Sequence, residues 1–210
     1  LLPGVGQNLK ITNKDNELLV VFDDQPLATV TQRMDVLRKK YGQRFAEMEL
    51  VRFVRDHPKI EGTVELLVIR SNDMDNDFEA NPEAAPGLIS RTFQKIRSAI
   101  YKLRDLGFQD VIIATDHGFF LNTAIEPGDV CVKPSGKWIN VHERTLLGDG
   151  IGDASNLVLS SEILGVRGDY NQVAIPRALV AYRAGQWYFH GGLSLQEAVV
   201  PVIAVKIRTA

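Results

Sequence analysis

The part of the chain that most limits its fold is a run of three segments: "TVELLVIR" (63–70), "PGLISRTFQKIRSAIYKLRDLGF" (86–108) and "DVIIA" (110–114). The first is a β-branched apolar run, which reads as a strand. The second carries Leu88, Ile89, Phe93, Ile96, Ile100, Leu103 and Leu106 at helical spacing, and it leads at once into a further apolar run, Val111 to Ala114. Strand, long helix, strand is the βαβ order, which predicts two parallel strands covered by a helix. Parallel strands buried on both faces read as continuous apolar runs, as these two do.

Elsewhere the elements are shorter. "ELLVVF" (17–22) reads as a strand, and "TVTQRMDVLRKKYG" (29–42) as a helix with Thr29 or Thr31 as its cap and Gly42 as its stop. "FAEMELVRFVRDH" (45–57) reads as another helix. After residue 120 the texture changes to short strands separated by Gly, Asn and Asp, in "VCVKPSGKW", "NLVLSS", "VAIPRALVAYRAGQWYFH" and "VVPVIAVKI". The stretch "LGDGIGDASN" (147–156) reads as loop. Neither an internal repeat nor a Pro- or Ser-rich linker interrupts the chain, so one domain is expected over residues 1–210.

Bulk properties exclude some classes of function. A formal net charge of −2 over 210 residues gives no electrostatic footprint for general nucleic-acid binding, although a local basic groove stays open. The basic run "LRKKYG" (37–42) sits at a helix end, where complementing the helix dipole accounts for it. With one cysteine, Cys131, no internal disulfide can form, and a reducing, cytoplasmic setting is expected. No apolar run approaches the roughly 20 residues that span a bilayer, so no membrane partner is expected. The opening "LLPGVG" lacks an initiator Met and reads as a break in a longer protein.

Two strands end in chemistry-bearing residues. The first is followed by Asp73, Asp75, Asp77 and Glu79, the second by Asp116 and His117. In open α/β sheets functional groups gather beyond the carboxyl ends of strands, so parallel strands would put both groups at one edge. Carboxylates mixed with imidazole suit Zn²⁺ or Mn²⁺ better than Ca²⁺. Asp116 and His117 point to opposite sides of an extended chain and can share an ion only if it bends, which Gly118 permits. Alone, the pair is equally well an Asp capping a turn beside a backbone-bonded His. A third element, "WYFHGGLSLQEAVVPVI" (187–203), sets His190 after an aromatic strand and before two glycines. Ser194 and Glu197 then make the S-x-x-E box that opens a helical turn. Its glycine-rich backbone also offers N–H groups to an anion. Taken singly, a histidine such as His190 is more often structural.

Together, "ATDHGFF" and, some 70 residues on, "HGGLSLQEAVVPV" resemble the PglZ domain, a branch of the alkaline phosphatase superfamily. The resemblance covers most of the chain and is faint between the motifs. It implies a three-layer α/β/α sandwich with a mixed, largely parallel sheet, and metal-dependent hydrolysis of a phosphate ester or phosphodiester at two divalent metals, Zn or Mn. In that superfamily an Asp-His pair at a strand end holds the nucleophile-side metal, which assigns Asp116 and His117. A later His, here His190, holds the other metal. An Asp-x-x-x-His usually completes that second set. Here Asp75 is followed four positions on by Glu79, making these two the candidates, with Asp73 and Asp77 as competitors. The resemblance also implies bacterial phage defence of the BREX type, with defence-system protein partners; such domains also occur in some response regulators.

The superfamily's first metal-binding Asp and its Thr or Ser nucleophile lie near the amino end of the domain, and in PglZ-like chains "LLPG" follows them closely. Here "LLPG" is residues 1–4, so the nucleophile is expected upstream of Leu1. The chain by itself is therefore expected to be inactive, with metal content reduced or absent. Asp23 and Asp24, with Thr29 or Thr31, superficially imitate the missing parts. Arg144, in "VHERTLLGDG", is a candidate contact for a substrate phosphate; the plainer reading makes His142, Glu143 and Arg144 a surface strand end. His57 reads as a solvated helix cap, and Cys131 as a packing residue. Two alternatives stand beside the hydrolase: a non-catalytic scaffold in a defence or signalling complex, and a nuclease component directed at nucleic acid.

Overall fold

The amphipathic segment recognised at 86–108 forms a helix of 21 residues, Ala85–Asp105, in the computed structural model. The structure describes residues 5–14, 17–56, 58–122, 126 and 128–208, and the side chains of these except Val5 and Gln7. The helix buries Ala85, Thr92, Ala99 and Leu103, a stripe at spacings near 3.6, while Phe93 and Leu106 face outward. It ends as its sequence dictates. Gly107 takes φ +87, the Phe108 N–H reaches the Leu103 carbonyl at 3.0 Å, and the Gly107 N–H reaches that of Arg104 at 2.9 Å. That is a Schellman ending, for which glycine is favoured because it has no Cβ to strain at positive φ.

By contacts the chain divides into two compact units, Leu1–Arg33 with Asp116–Val200, and Met34–Thr115 with Pro201–Ala210. In the second unit the long helix packs on Leu50–Asp56. Leu50, Phe53, Ala99 and Leu103 form the core, flanked by Met48, Leu67, Ile69, Ile96 and Val111. Two strand pairs line this core. Phe45–Glu49 runs parallel to Leu66–Arg70, and Asp110–Ala114 runs antiparallel to Val202–Lys206.

The α/β class therefore holds, with a different pairing from the expected one. The strand at 66–70 takes its parallel partner from the segment before it, not from 110–114, though the long helix covers both. Among the described residues the sheets are mixed, and this is the one parallel ladder between named strands, not a largely parallel sheet. The helix expected over 45–57 is a correction: residues 45–49 are strand and only 50–56 are helix. The apolar period changes there. Ala46 and Met48 alternate with Glu47 and Glu49, and the i, i+3 pair Leu50 and Phe53 begins only afterwards. The acidic stretch after residue 70 is also regular. Asp73–Ala80 is a helix anchored by Phe78, which is wholly buried.

The first unit is antiparallel throughout its named strands. Leu9–Lys14 pairs with Glu17–Phe22, which turns through Asp23 and Asp24, both at positive φ, onto Gln25–Pro26. Two successive residues at positive φ make the tight hairpin turn that acidic side chains tolerate better than most. The helix Val30–Tyr41 follows, and Thr29 is its cap. Thr29 N–H donates to Gln32 Oε1 at 3.0 Å, and Gln32 N–H donates to Thr29 Oγ1 at 3.2 Å.

A four-stranded sheet carries the rest of this unit, built from Gly136–His142, Thr145–Gly150, Gln172–Pro176 and Asn156–Ser160 in that spatial order. Alternation gives it two apolar faces. Leu146 and Ala174 join Cys131 and Tyr182 on one, and Leu147, Val173 and Ile175 lie on the other. The loop expected over 147–156 is a second correction, since residues 147–150 are strand. Its glycines are spaces, not turns. A Cβ on Gly150 would sit 2.6 Å from the Trp138 ring, and one on Gly148 would strike the Lys137 carbonyl. His57 and the "LLPG" opening lie outside the described residues.

A candidate metal centre of three histidines

Three of the four histidines meet in the first unit. His190 is 8% exposed and lies between two other imidazoles. The His117 ring stacks on it at 3.8 Å between centroids, 6° from parallel, and the His142 ring approaches at 3.8 Å with a 43° tilt. Carboxylates flank the cluster. Glu143 Oε2 contacts His142 Nδ1, and Asp116 Oδ1 lies 3.7 Å from His117 Nε2 while accepting the His117 backbone N–H at 3.1 Å. His117 Nδ1 is 3.1 Å from the Gly118 carbonyl. Burial pushes the Glu143 carboxyl up, but the His142 hydrogen bond and the charges of His142 and His190 outweigh it and hold the group below the usual carboxylate range. One donor atom from each of His142, Glu143 and His190 can be chosen so that all lie within 4.8 Å of one another.

The backbone explains why these side chains meet. After the Asp110–Ala114 strand, the Gly118 N–H donates to the Glu197 carbonyl at 2.9 Å, and a Cβ on Gly118 would collide with the Gln196 carbonyl. The two glycines after His190 serve the same end. Gly191 has φ +91 and packs on His142, whose Cβ would lie 2.8 Å from an added Cβ. At Gly192 an added Cβ would sit 2.6 Å from Arg144 Nε and 2.7 Å from Glu197 Oε2. Any side chain at either position would push the hairpin tip at 142–145 away from the His190 turn.

That tip is also tied by charge. Arg144 and Glu197 are each 2% exposed, with Arg144 Nε 2.9 Å from Glu197 Oε1. The approach is off the N–H axis, so it is a charge contact and not an aligned hydrogen bond. Arg144 Nη1 donates to the carbonyls of Ala178 at 3.0 Å and Val180 at 2.6 Å. Its guanidinium lies 5.6 Å from the ring centres of both Phe120 and Phe189. Glu197 accepts from the Gly192 N–H at 2.9 Å and the Ser194 hydroxyl at 2.8 Å. The Ser194–Glu197 capping box expected from the sequence is present and opens the turn Leu195–Ala198. Thr145 Oγ1 donates to the Gly191 carbonyl, and the Tyr182 N–H donates to that of Glu143 at 2.8 Å.

The structure thus brings together His117, Asp116 and His190 from the two sequence motifs. It adds His142 and Glu143, which the sequence reading set aside as a surface strand end. Arg144 is buried among protein partners. Asp75 and Glu79 lie one turn apart on the Asp73–Ala80 helix of the second unit, Asp75 half-buried and Glu79 exposed with Asp77. Asp73 pairs with Lys95 at 2.5 Å. Asp23 and Asp24 occupy their exposed hairpin turn. The overlooked signal was "VHERT", a His-Glu pair followed by an arginine at the junction of two strands.

Over 132 residues the chain is 27% identical to the alkaline phosphatase-like protein BrxZ of Escherichia coli O9:H4 (strain HS), a match covering 55% of the chain and 15% of that protein. The chain thus corresponds to a small part of that relative's length. No solved structure matches. Residues 1–205 match the family described as the BREX system PglZ alkaline phosphatase-like domain, and the chain belongs to that family.

Proposed function

We propose that the chain supplies metal-binding residues of a phosphoesterase that hydrolyses a phosphate ester or phosphodiester within a bacterial BREX defence system. The observation that carries this reading is the ring contact of His117 with His190, which unites the "TDHG" and "HGGLSLQE" motifs at one place. The donor chemistry fits a divalent cation. Imidazole nitrogens flanked by carboxylates suit zinc or manganese, and His190 is fixed in a buried setting by glycines that admit no side chain. Asp116 and His117 are assigned to one metal and His190 to a second, with Asp75 and Glu79 as the further carboxylate candidates of the family pattern. When bound, such metals supply Lewis-acid stabilisation of phosphoryl oxygens.

The residues of the chain hold and orient these ligands. Gly118 locks the Asp116–His117 bend, and the Arg144–Glu197 pair steadies the turn that presents His190. This placement favours positioning over direct phosphate contact for Arg144. The setting in this reading is the bacterial cytoplasm, in keeping with a single cysteine, and the partners are other BREX proteins. Among the described residues no helix is long and apolar enough to cross a membrane.

The test is turnover of p-nitrophenyl phosphate and bis-p-nitrophenyl phosphate by the intact protein after loading with zinc or manganese. Wild type should hydrolyse at least one of them. His117→Ala and His190→Ala should each lower turnover by about two orders of magnitude or more, with unchanged far-UV circular dichroism. Normal turnover per folded molecule in both variants would defeat the assignment.

A further inference from the structure

The Gly136–His142 and Thr145–Gly150 strands form a hairpin whose tip, residues 142–145, is held at several points. Arg144 is fixed by Ala178, Val180 and Glu197, the Glu143 carbonyl by Tyr182, and Thr145 by the Gly191 carbonyl. Leaving either member of a buried ion pair unmatched is costly, and a hydrophobic pair of equal volume would serve packing as well. What this pair achieves here is registration: the hairpin tip is held against the His190–Gly191–Gly192 turn. Its consequence is that His142 and His190 are set ring to ring, with Glu143 beside them.

From this geometry we infer that His142 and Glu143 join His190 as protein ligands of one divalent cation, of the zinc or manganese class. The inference rests on the reading of His190 as a ligand and adds two residues to it. Donors around one zinc ion, with bonds of about 2.0–2.2 Å, sit roughly 3.5 Å apart. The three donors here all lie within 4.8 Å of one another, near that spacing. His142 Nδ1 and Glu143 Oε2 already face each other. Two imidazoles and one carboxylate would match the kind of ligand set found at catalytic rather than structural zinc. His117, stacked on His190, stays with Asp116.

The experiment is zinc titration by isothermal calorimetry on the metal-stripped intact protein, with cobalt substitution read by visible absorption. His142→Ala, His142→Gln, Glu143→Gln and His190→Ala should each weaken one bound ion by about tenfold or more, and the cobalt bands should shift in all four. His142→Gln retains bulk against Gly191, so it reports on ligation should the alanine variant fold poorly. If His190→Ala weakens binding while the His142 and Glu143 variants bind as wild type does, the inference falls and the proposed function stands. If wild type takes up no zinc and no cobalt, both fall together.

Discussion

The hairpin tip at 142–145 and the acidic helix Asp73–Ala80 both present candidate ligands, and they are built on opposite principles. At the tip, a buried ion pair, a capping box and three glycines leave the histidine cluster little freedom. On the helix, Asp77 and Glu79 are exposed, and Phe78 alone is fully buried. One region fixes geometry before any ligand arrives. The other offers the charge of Asp77 and Glu79 on exposed side chains. Ligands that must hold an angle gain from preorganisation; carboxylates, with two oxygens and several rotamers, lose less without it.

The comparison can be broken most easily at Glu197. Glu197→Gln removes the charge facing Arg144 and leaves a buried guanidinium with neutral partners. A loss of about 3–5 kcal/mol is expected in urea or thermal unfolding, the range for splitting a buried pair. A loss below about 1 kcal/mol would show that the tip is not clamped by charge. Next comes Gly192→Ala, whose added methyl meets Arg144 and Glu197 at under 3 Å. Overpacking of this kind costs about 1–3 kcal/mol, and the affinity for zinc should fall with it. A fully stable variant with wild-type zinc affinity would mean that the His190 turn is not set by close packing. The smallest effect is expected on the helix. Glu79→Gln should change the stability of the metal-free protein by no more than about 0.5 kcal/mol, as surface substitutions do. A larger loss would show that the helix is as tightly organised as the tip.

What could be read from the sequence followed the range of the interaction responsible. The long helix was legible because its period repeats over many turns and Gly107 marks its end, both local signals. His117 and His190 were legible because each sits in a long motif. The strand at 45–49 was not, because Phe45, Met48 and Phe53 imitate helical spacing across a change of period. Nor was the strand at 147–150, where glycines that make room for Trp138 and the neighbouring backbone look like turn residues. His142 and Glu143 were hidden for a deeper reason. Their approach to His190 depends on the docking of a hairpin through Arg144 and Glu197, and the local pattern "VHERT" does not say what that hairpin docks against.

One of the contacts that fasten the two motifs together involves no side chain on either partner. Gly118 meets the main-chain carbonyl of Gln196, whose side chain is exposed, as is that of its neighbour Leu195. Alanine scanning ordinarily subtracts atoms and reports what they did. At Gly118 it adds them, against backbone that cannot rotate away, while at Leu195 and Gln196 it removes groups that face solvent. Such a scan inverts its usual meaning along this seam. The residue with nothing to delete is the sensitive one, whereas the side chains of Leu195 and Gln196 can be rewritten so long as the main chain keeps its course.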